Sequence, residues 1–151
     1  MISRKTKYGL RALIYLAKEY KKGPVLISNI AKKEKIPQKF LEFILLDLKK
    51  NGILESKKGK GGGYFLATDP EKTYLGNIVR VLDGPLAPVS CVSQTAYRKC
   101  EDCLDENCCG IKLIMKDVRD AIANILDQTT LEDVLIRANS AKGKEVLSYV
   151  I

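Results

Sequence analysis

Ile36 and Pro37 stand between two short stretches that each carry helical signals. A proline ring fixes φ and removes the backbone N–H, so a helix cannot run through it, yet the ring is well suited to a helix's first turn. The chain must therefore break at Ile36-Pro37 and restart. Upstream, Ser28 is placed to cap a helix running from Asn29 to about Glu34. Downstream, Phe40, Leu41, Ile44, Leu45 and Leu48 recur at helical spacing and form the buried stripe of a helix spanning about 37–50, which Gly52 ends. Two short helices about a tight break form the helix-turn-helix pattern. Gln38, Lys39, Glu42, Leu46 and Lys49 fall off the buried stripe.

The flanking segments extend this core. Leu10, Leu13, Ile14 and Ala17 predict a helix over 3–21, with Ser3 as its cap and Gly23-Pro24 as its stop. After Gly52, Ile53-Leu54 and Tyr64-Phe65-Leu66 flank the turn Lys57-Lys58-Gly59-Lys60-Gly61-Gly62-Gly63. This predicts a β-hairpin, which after a helix-turn-helix is a wing. A nucleotide-binding P-loop does not fit, because Gly63-Tyr64-Phe65 lacks the Lys-Ser/Thr that opens the following helix. Leu75, Ile78, Val79 and Leu82 predict a helix over 74–82, and Gly84-Pro85 and Pro88 a linker. Beyond a cysteine-bearing polar loop, Ile111, Met115, Val118, Ile122 and Ile125 mark a long helix over 110–127, its stripe broadened by Ile114, Ala121 and Leu126. A stripe that wide needs a partner surface, on its own domain or across a two-fold axis. A last helix is expected over 130–138. The fold class predicted is mainly α: a winged helix-turn-helix with a small β-hairpin wing and a long C-terminal dimerisation helix. The expected division is a reading domain over 1–84, a sensor loop over 85–109 and a dimerisation segment over 110–151.

Charge divides along the same line. Residues 1–60 hold 16 Lys/Arg against 5 Asp/Glu, and residues 61–151 hold 10 against 13, within a net charge of +8. A basic N-terminal half is the electrostatic footprint of a polyanion partner. The chain has no histidine, which removes the commonest general base and points to binding rather than to an enzyme. No apolar run of about 18 residues predicts a membrane span, and the charged N-terminus has no signal-peptide core. The cytoplasm is the expected compartment.

All 5 cysteines lie between Cys91 and Cys109, in the order Cys91-x8-Cys100-x2-Cys103-x4-Cys108-Cys109. In a reducing compartment such clustering favours metal binding or redox sensing over structural disulfides. Thiolates supply the charge and covalency that iron requires, and four of them hold a [2Fe–2S] or [4Fe–4S] cluster. A tetrahedral zinc site and a metal-free thiol switch are the competing readings. The acidic residues Glu101, Asp102, Asp105 and Glu106 among the cysteines disfavour an anionic cluster.

The series Tyr8-Gly9-Leu10-Arg11-Ala12-Leu13, Phe40-Leu41-Glu42, Gly61-Gly62-Gly63-Tyr64, Leu82-Asp83-Gly84-Pro85 and Val118-Arg119-Asp120-Ala121 resembles the Rrf-type bacterial winged-helix regulators over about residues 1–138. The resemblance implies a homodimer with paired long helices near the two-fold axis, here the helix 110–127, and a cluster loop before that helix. Cluster-bearing members are similar in carrying three cysteines there, the last two separated by five residues. Cys103-x5-Cys109 matches that spacing and Cys91 the first position. The stretch from Cys91 to Cys103 is longer than in the best-known members and contains Cys100. Lys112 stands where cluster-bearing members of one type have histidine, and Lys7 or Tyr8 near where another type has a carboxylate. The fourth ligand therefore does not carry over. Cys100 is the expected fourth ligand, and Cys108, adjacent to Cys109, is the expected spare.

The reading reached is a DNA-binding transcriptional regulator, homodimeric on double-stranded promoter DNA, that senses iron–sulfur or redox status. Cys91, Cys100, Cys103 and Cys109 would hold a cluster, [2Fe–2S] before [4Fe–4S], with zinc as the alternative. Gln38, Lys39 and Glu42 would meet base edges in the major groove, where Gln pairs with adenine, Lys with guanine and Glu with cytosine. Lys57, Lys58 and Lys60, with Gly62 and Tyr64, would form the wing's DNA contact. A zinc-stapled interaction module and an electron-transfer or cluster-carrier protein are readings from other classes. Neither needs a lysine-rich wing.

Overall fold

The computed structural model describes residues 2–150, the side chains of residues 146 and 148–150 excepted. The chain forms α1 (Arg4–Lys18), α2 (Ile27–Glu34), α3 (Gln38–Lys50), β1 (Leu54–Lys57), β2 (Gly63–Leu66), α4 (Leu75–Asp83), α5 (Gly110–Gln128) and α6 (Leu131–Val150), with short 3-10 turns at Pro70–Lys72 and Ser90–Val92. This is a winged helix-turn-helix with a long C-terminal arm.

Local chemistry sets the helix ends. Ser3 Oγ accepts from the Thr6 amide at 3.1 Å, capping α1 as expected. Ser28 does not cap α2. Val25 is held extended against Tyr64, and the helix starts as soon as that pairing ends, with the Leu26 carbonyl accepting from Asn29 and Ile30. Lys35 turns left-handed at φ 52° to close α2, and the Pro37 carbonyl accepts from Leu41 at 3.0 Å to open α3. The last helix runs far past residue 138. No proline interrupts residues 139–150, so the backbone hydrogen bonding of the helix is free to continue.

One core joins these elements. Leu13 and Leu16 of α1, Ile30 of α2, Leu41, Ile44, Leu45 and Leu48 of α3, Leu54 and Leu66 of the wing, Ile78 of α4 and Leu131 of α6 are almost wholly buried. Gly9 lets α1 cross α4 closely: a Cβ there would lie 2.4 Å from Leu82 Cδ1 and 3.2 Å from Ile44 Cγ2. After α5 the chain returns to this core. The Leu75 amide donates to Thr129 O at 2.9 Å, and the Leu131 amide to Thr73 O at 3.0 Å. Arg80 clamps Asp127 with two hydrogen bonds, at 2.6 and 2.9 Å, fixing α4 against the end of α5.

The wing is an antiparallel pair with Leu54 opposite Leu66, Ser56 opposite Tyr64 and Lys57 opposite Gly63. Val25 adds a third edge, exchanging two 2.8 Å backbone hydrogen bonds with Tyr64. That approach needs Gly63: its φ is +142°, and a Cβ would sit 2.3 Å from the Val25 carbonyl oxygen. Gly59 also has positive φ, at +89°, but nothing lies within 4 Å of its added Cβ. Gly63→Ala should therefore lower stability by about 1–3 kcal/mol, and Gly59→Ala by distinctly less. Thermal unfolding of both variants checks this; equal losses would show that the Val25 contact does not constrain the wing.

Candidate functional site

The reading face is built on α3. Its inner side is consumed by the core, which leaves Gln38, Lys39, Glu42, Phe43, Leu46, Lys49 and Lys50 exposed. Two contacts hold the last turn of this helix. Lys5 of α1 pairs with Asp47 at 2.7 Å, and Lys49 donates to Ser56 of β1 at 2.6 Å. Gln38, Lys39 and Glu42 lie together on the first turns of α3, as expected. Phe43 sits among them, 68% exposed. Sequence reasoning passed over it, because an aromatic side chain beside a buried stripe is ordinarily core.

In the wing, Lys57, Lys58 and Lys60 are exposed and lie on or beside the turn. Gly62 is buried, its amide donating to Gly59 O at 3.0 Å. Tyr64 is half-buried against the core, with its backbone engaged by Val25. These two residues shape the wing that presents the lysines.

The second site is a pocket of about 440 Å³ lined by all five cysteines, together with Val89, Asp102, Leu104, Asp105, Ile111 and Lys112. Cys91 is buried in the 3-10 turn, Cys103 and Cys109 are half-buried, and Cys100 and Cys108 are exposed. Cys109 is the N-cap residue of α5 and accepts at its carbonyl from Leu113 at 3.1 Å. The Cys100 thiol shares a hydrogen bond with Cys91. That bond, with the charges of Cys91, Cys103 and Asp102, holds it above its ordinary pKa. Among the described residues, no three Cys, Asp, Glu or His side chains converge where a metal ion would be held. The thiols ring the pocket without closing on a point.

The acidic residues of the loop have a structural use that their sequence does not reveal. Asp105 accepts from the Asn107 amide at 2.9 Å and also from the Cys108 thiol, and these hydrogen bonds hold its carboxyl below the usual range. Cys108, which also lines the pocket, is thereby engaged by Asp105. Glu106 accepts from Tyr97 Oη and pairs with Lys112 at 3.5 Å, while the Lys112 ammonium stands 5.8 Å from the Tyr97 ring centre. The Tyr97 hydrogen bond is the main cause of Glu106's lowered pKa, and it raises Tyr97's to about 12. Tyr97, Glu106 and Lys112 thus clip the cysteine loop to the first turn of α5. Further along that helix, Arg119 donates to the Val92 carbonyl at 2.7 Å, next to Cys91.

The long helix itself buries no side chain. Met115, Arg119, Ala123 and Leu126 are half-buried against the rest of the chain. Ile111, Ile114, Val118, Ala121, Ile122 and Ile125 lie exposed on the other side. The stripe anticipated from sequence is therefore two faces, with Met115 and Leu126 on the inner one.

A family model described as an iron-dependent transcriptional regulator, Rrf2, matches residues 2–137. The chain belongs to the Rrf2 family. It is a winged-helix transcriptional regulator, and its relatives carry the same helix-turn-helix description. A putative HTH-type regulator, rrf2-like, from Rhodobacter capsulatus is 41% identical over 144 residues, covering 93% of this chain and 96% of the relative. Among solved structures, CymR, the global cysteine regulator of B. subtilis, superposes with a TM-score of 0.74 at 35% identity, covering 89% of this chain and 95% of that one. T. potens IscR superposes with a TM-score of 0.74 at 30% identity, covering 93% and 90%. Among the described residues, no helix is long and apolar enough to cross a membrane.

The loop clip has a pH signature. Glu106 has a lowered folded-state pKa, so its contribution is complete above the ordinary glutamate value and fades as pH falls through the lowered one. Tyr97→Phe removes the largest cause and should return the Glu106 carboxyl toward its ordinary value, read by NMR titration of the side-chain carboxyl. An unchanged titration in the variant would show that the hydrogen bond does not order the loop.

Proposed function

We propose that this regulator works in the cytoplasm as a homodimer on double-stranded promoter DNA and senses iron–sulfur status through its cysteine pocket. The observation that carries the sensing half is the collection of all five cysteines around one pocket at the start of α5. Their chemistry fits a cluster: Cys91, Cys100, Cys103 and Cys109 would hold it, [2Fe–2S] in preference to [4Fe–4S], while the Cys108 thiol is taken by Asp105. When bound, the cluster supplies a centre that responds to iron supply and oxidation. A single zinc ion is favoured less, because it needs its ligands gathered tetrahedrally about one point. Zinc remains the alternative metal.

The chain's own residues relay the state of the pocket. Arg119 ties Val92, beside Cys91, to α5, and Asp127 at the far end of α5 grips Arg80 of α4. Helix α4 packs through Leu82 on α1, whose Lys5 holds Asp47 of the reading helix. On DNA, Gln38, Lys39 and Glu42 would face base edges, and Lys57, Lys58 and Lys60 would neutralise phosphates, with Gly62 and Tyr64 shaping the wing. The dimer reading rests on the exposed apolar side of α5. Ile111, Ile114, Val118, Ile122 and Ile125 recur every three or four residues, the seam of a two-helix interface, and a two-fold axis makes such a seam self-complementary. A metal-free thiol switch is a second reading, favoured by the hydrogen bond between the Cys91 and Cys100 thiols and by the likeness to a cysteine regulator.

Anaerobic reconstitution with iron and sulfide tests the sensing half. Cys91→Ala, Cys103→Ala and Cys109→Ala should each abolish visible absorption and bound sulfide, and Cys108→Ala should retain both. Loss in Cys100→Ala identifies the fourth ligand; retention moves that role elsewhere. A wild-type protein that takes up neither iron nor sulfide would transfer the role to the thiol switch, or to zinc if zinc binds stoichiometrically.

A further inference from the structure

We propose that Phe43 is a specificity-determining residue, its ring lying against the C5-methyl group of a thymine in the major groove, with Leu46 beside it. The inference deepens the DNA-binding reading of α3 and rests on it. Phe43 is 68% exposed, more than any other large apolar side chain in residues 2–84, and Leu46, one turn on, is 41% exposed. The pair lies opposite the face that Leu41, Ile44, Leu45 and Leu48 bury. Lys39 precedes Phe43 by four residues and Lys50 follows it by seven, so all lie on one side of the helix.

An apolar spot framed by charge fits one kind of occupant. Scattered exposed apolar residues are ordinary on protein surfaces, but this pair sits in the middle of the reading face, next to Gln38, Lys39 and Glu42. A second copy of the chain would bring the same lysines against these lysines, in a half of the chain with 16 Lys/Arg against 5 Asp/Glu. DNA brings phosphates for the lysines. The apolar group that bases expose in the major groove is the thymine methyl, and a phenyl ring is among the side chains that recognise it. Phe43 offers no hydrogen bond, so it selects by covering that methyl and by leaving polar base edges at its position without a partner.

The test uses the full chain and duplexes enriched from a random-sequence library. Each thymine of an enriched duplex is replaced in turn by uracil, which removes only the C5-methyl. At one or two positions per half-site, uracil should weaken wild-type binding about four-fold, the worth of one buried methyl-sized group. Phe43→Ala should bind the thymine duplex more weakly and show no uracil effect at those positions. Its slope of affinity against salt should match wild type, because no phosphate contact is lost. Phe43→Gln should shift the selected base toward adenine. Uracil tolerated at every position, or an equal uracil effect in wild type and Phe43→Ala, overturns the proposal while leaving DNA binding intact. Failure to enrich any duplex overturns the DNA-binding reading itself. A change of solution mass in Phe43→Ala would assign the ring to a protein contact and also overturn the proposal.

Discussion

A helix of 19 residues that buries none of its side chains is the constraint on which this structure turns. An isolated helix of that length gains little from backbone hydrogen bonding alone and owes its stability to packing. Here α5 spends one face on its own chain, where Met115, Ala123 and Leu126 are only half-covered, and leaves an isoleucine-rich face in water. Covering that face with a second copy would stabilise the helix, set the distance between two reading heads, and put both cysteine pockets near the shared axis. The thiol pocket and the DNA-reading face would then be two ends of one mechanical element.

The connections along that element are short and specific. Arg119 reaches the carbonyl beside Cys91, Arg80 clamps Asp127, Gly9 admits Leu82, and Lys5 holds Asp47. Each joins a different pair of elements. Together they run from the cysteine loop to α3. The loop is organised too: Glu106 and Asp105, which look unhelpful to an anionic cluster when read as charges, are hydrogen-bond acceptors for Tyr97, Asn107 and Cys108. Their charge is largely spent on holding the loop's shape.

The helix-turn-helix and wing were legible because their signals are local. Proline at 37, apolar spacing over 40–48 and glycines at 61–63 each act within a few residues. What escaped depended on distant partners. Ser28 looked like a cap because nothing local announced that Val25 would pair with Tyr64. The last helix was expected only over 130–138 because a helix that continues without a clear apolar stripe leaves a weak signal. Met115 was placed in one stripe with the isoleucines of α5 because periodicity gives the width of a stripe, not how two surfaces divide it. Phe43 was passed over for the same kind of reason: its position between Glu42 and Ile44 leaves open which way the ring faces until the core is assembled. In the cysteine segment, spacing and resemblance singled out Cys91, Cys103 and Cys109. The engagement of Cys108 by Asp105 is a tertiary detail that no spacing contains.

The central claim is that a second copy covers the exposed face of α5, and the solution mass tests it most directly. Sedimentation of the wild-type chain should give twice the chain mass. Ile122→Glu places a carboxylate in the seam without a partner, at a cost of several kcal/mol, and should sediment as a single folded chain with the helical content of its α1–α4 core retained by circular dichroism. A wild-type monomer, or an Ile122→Glu protein that remains a folded dimer, would contradict the account.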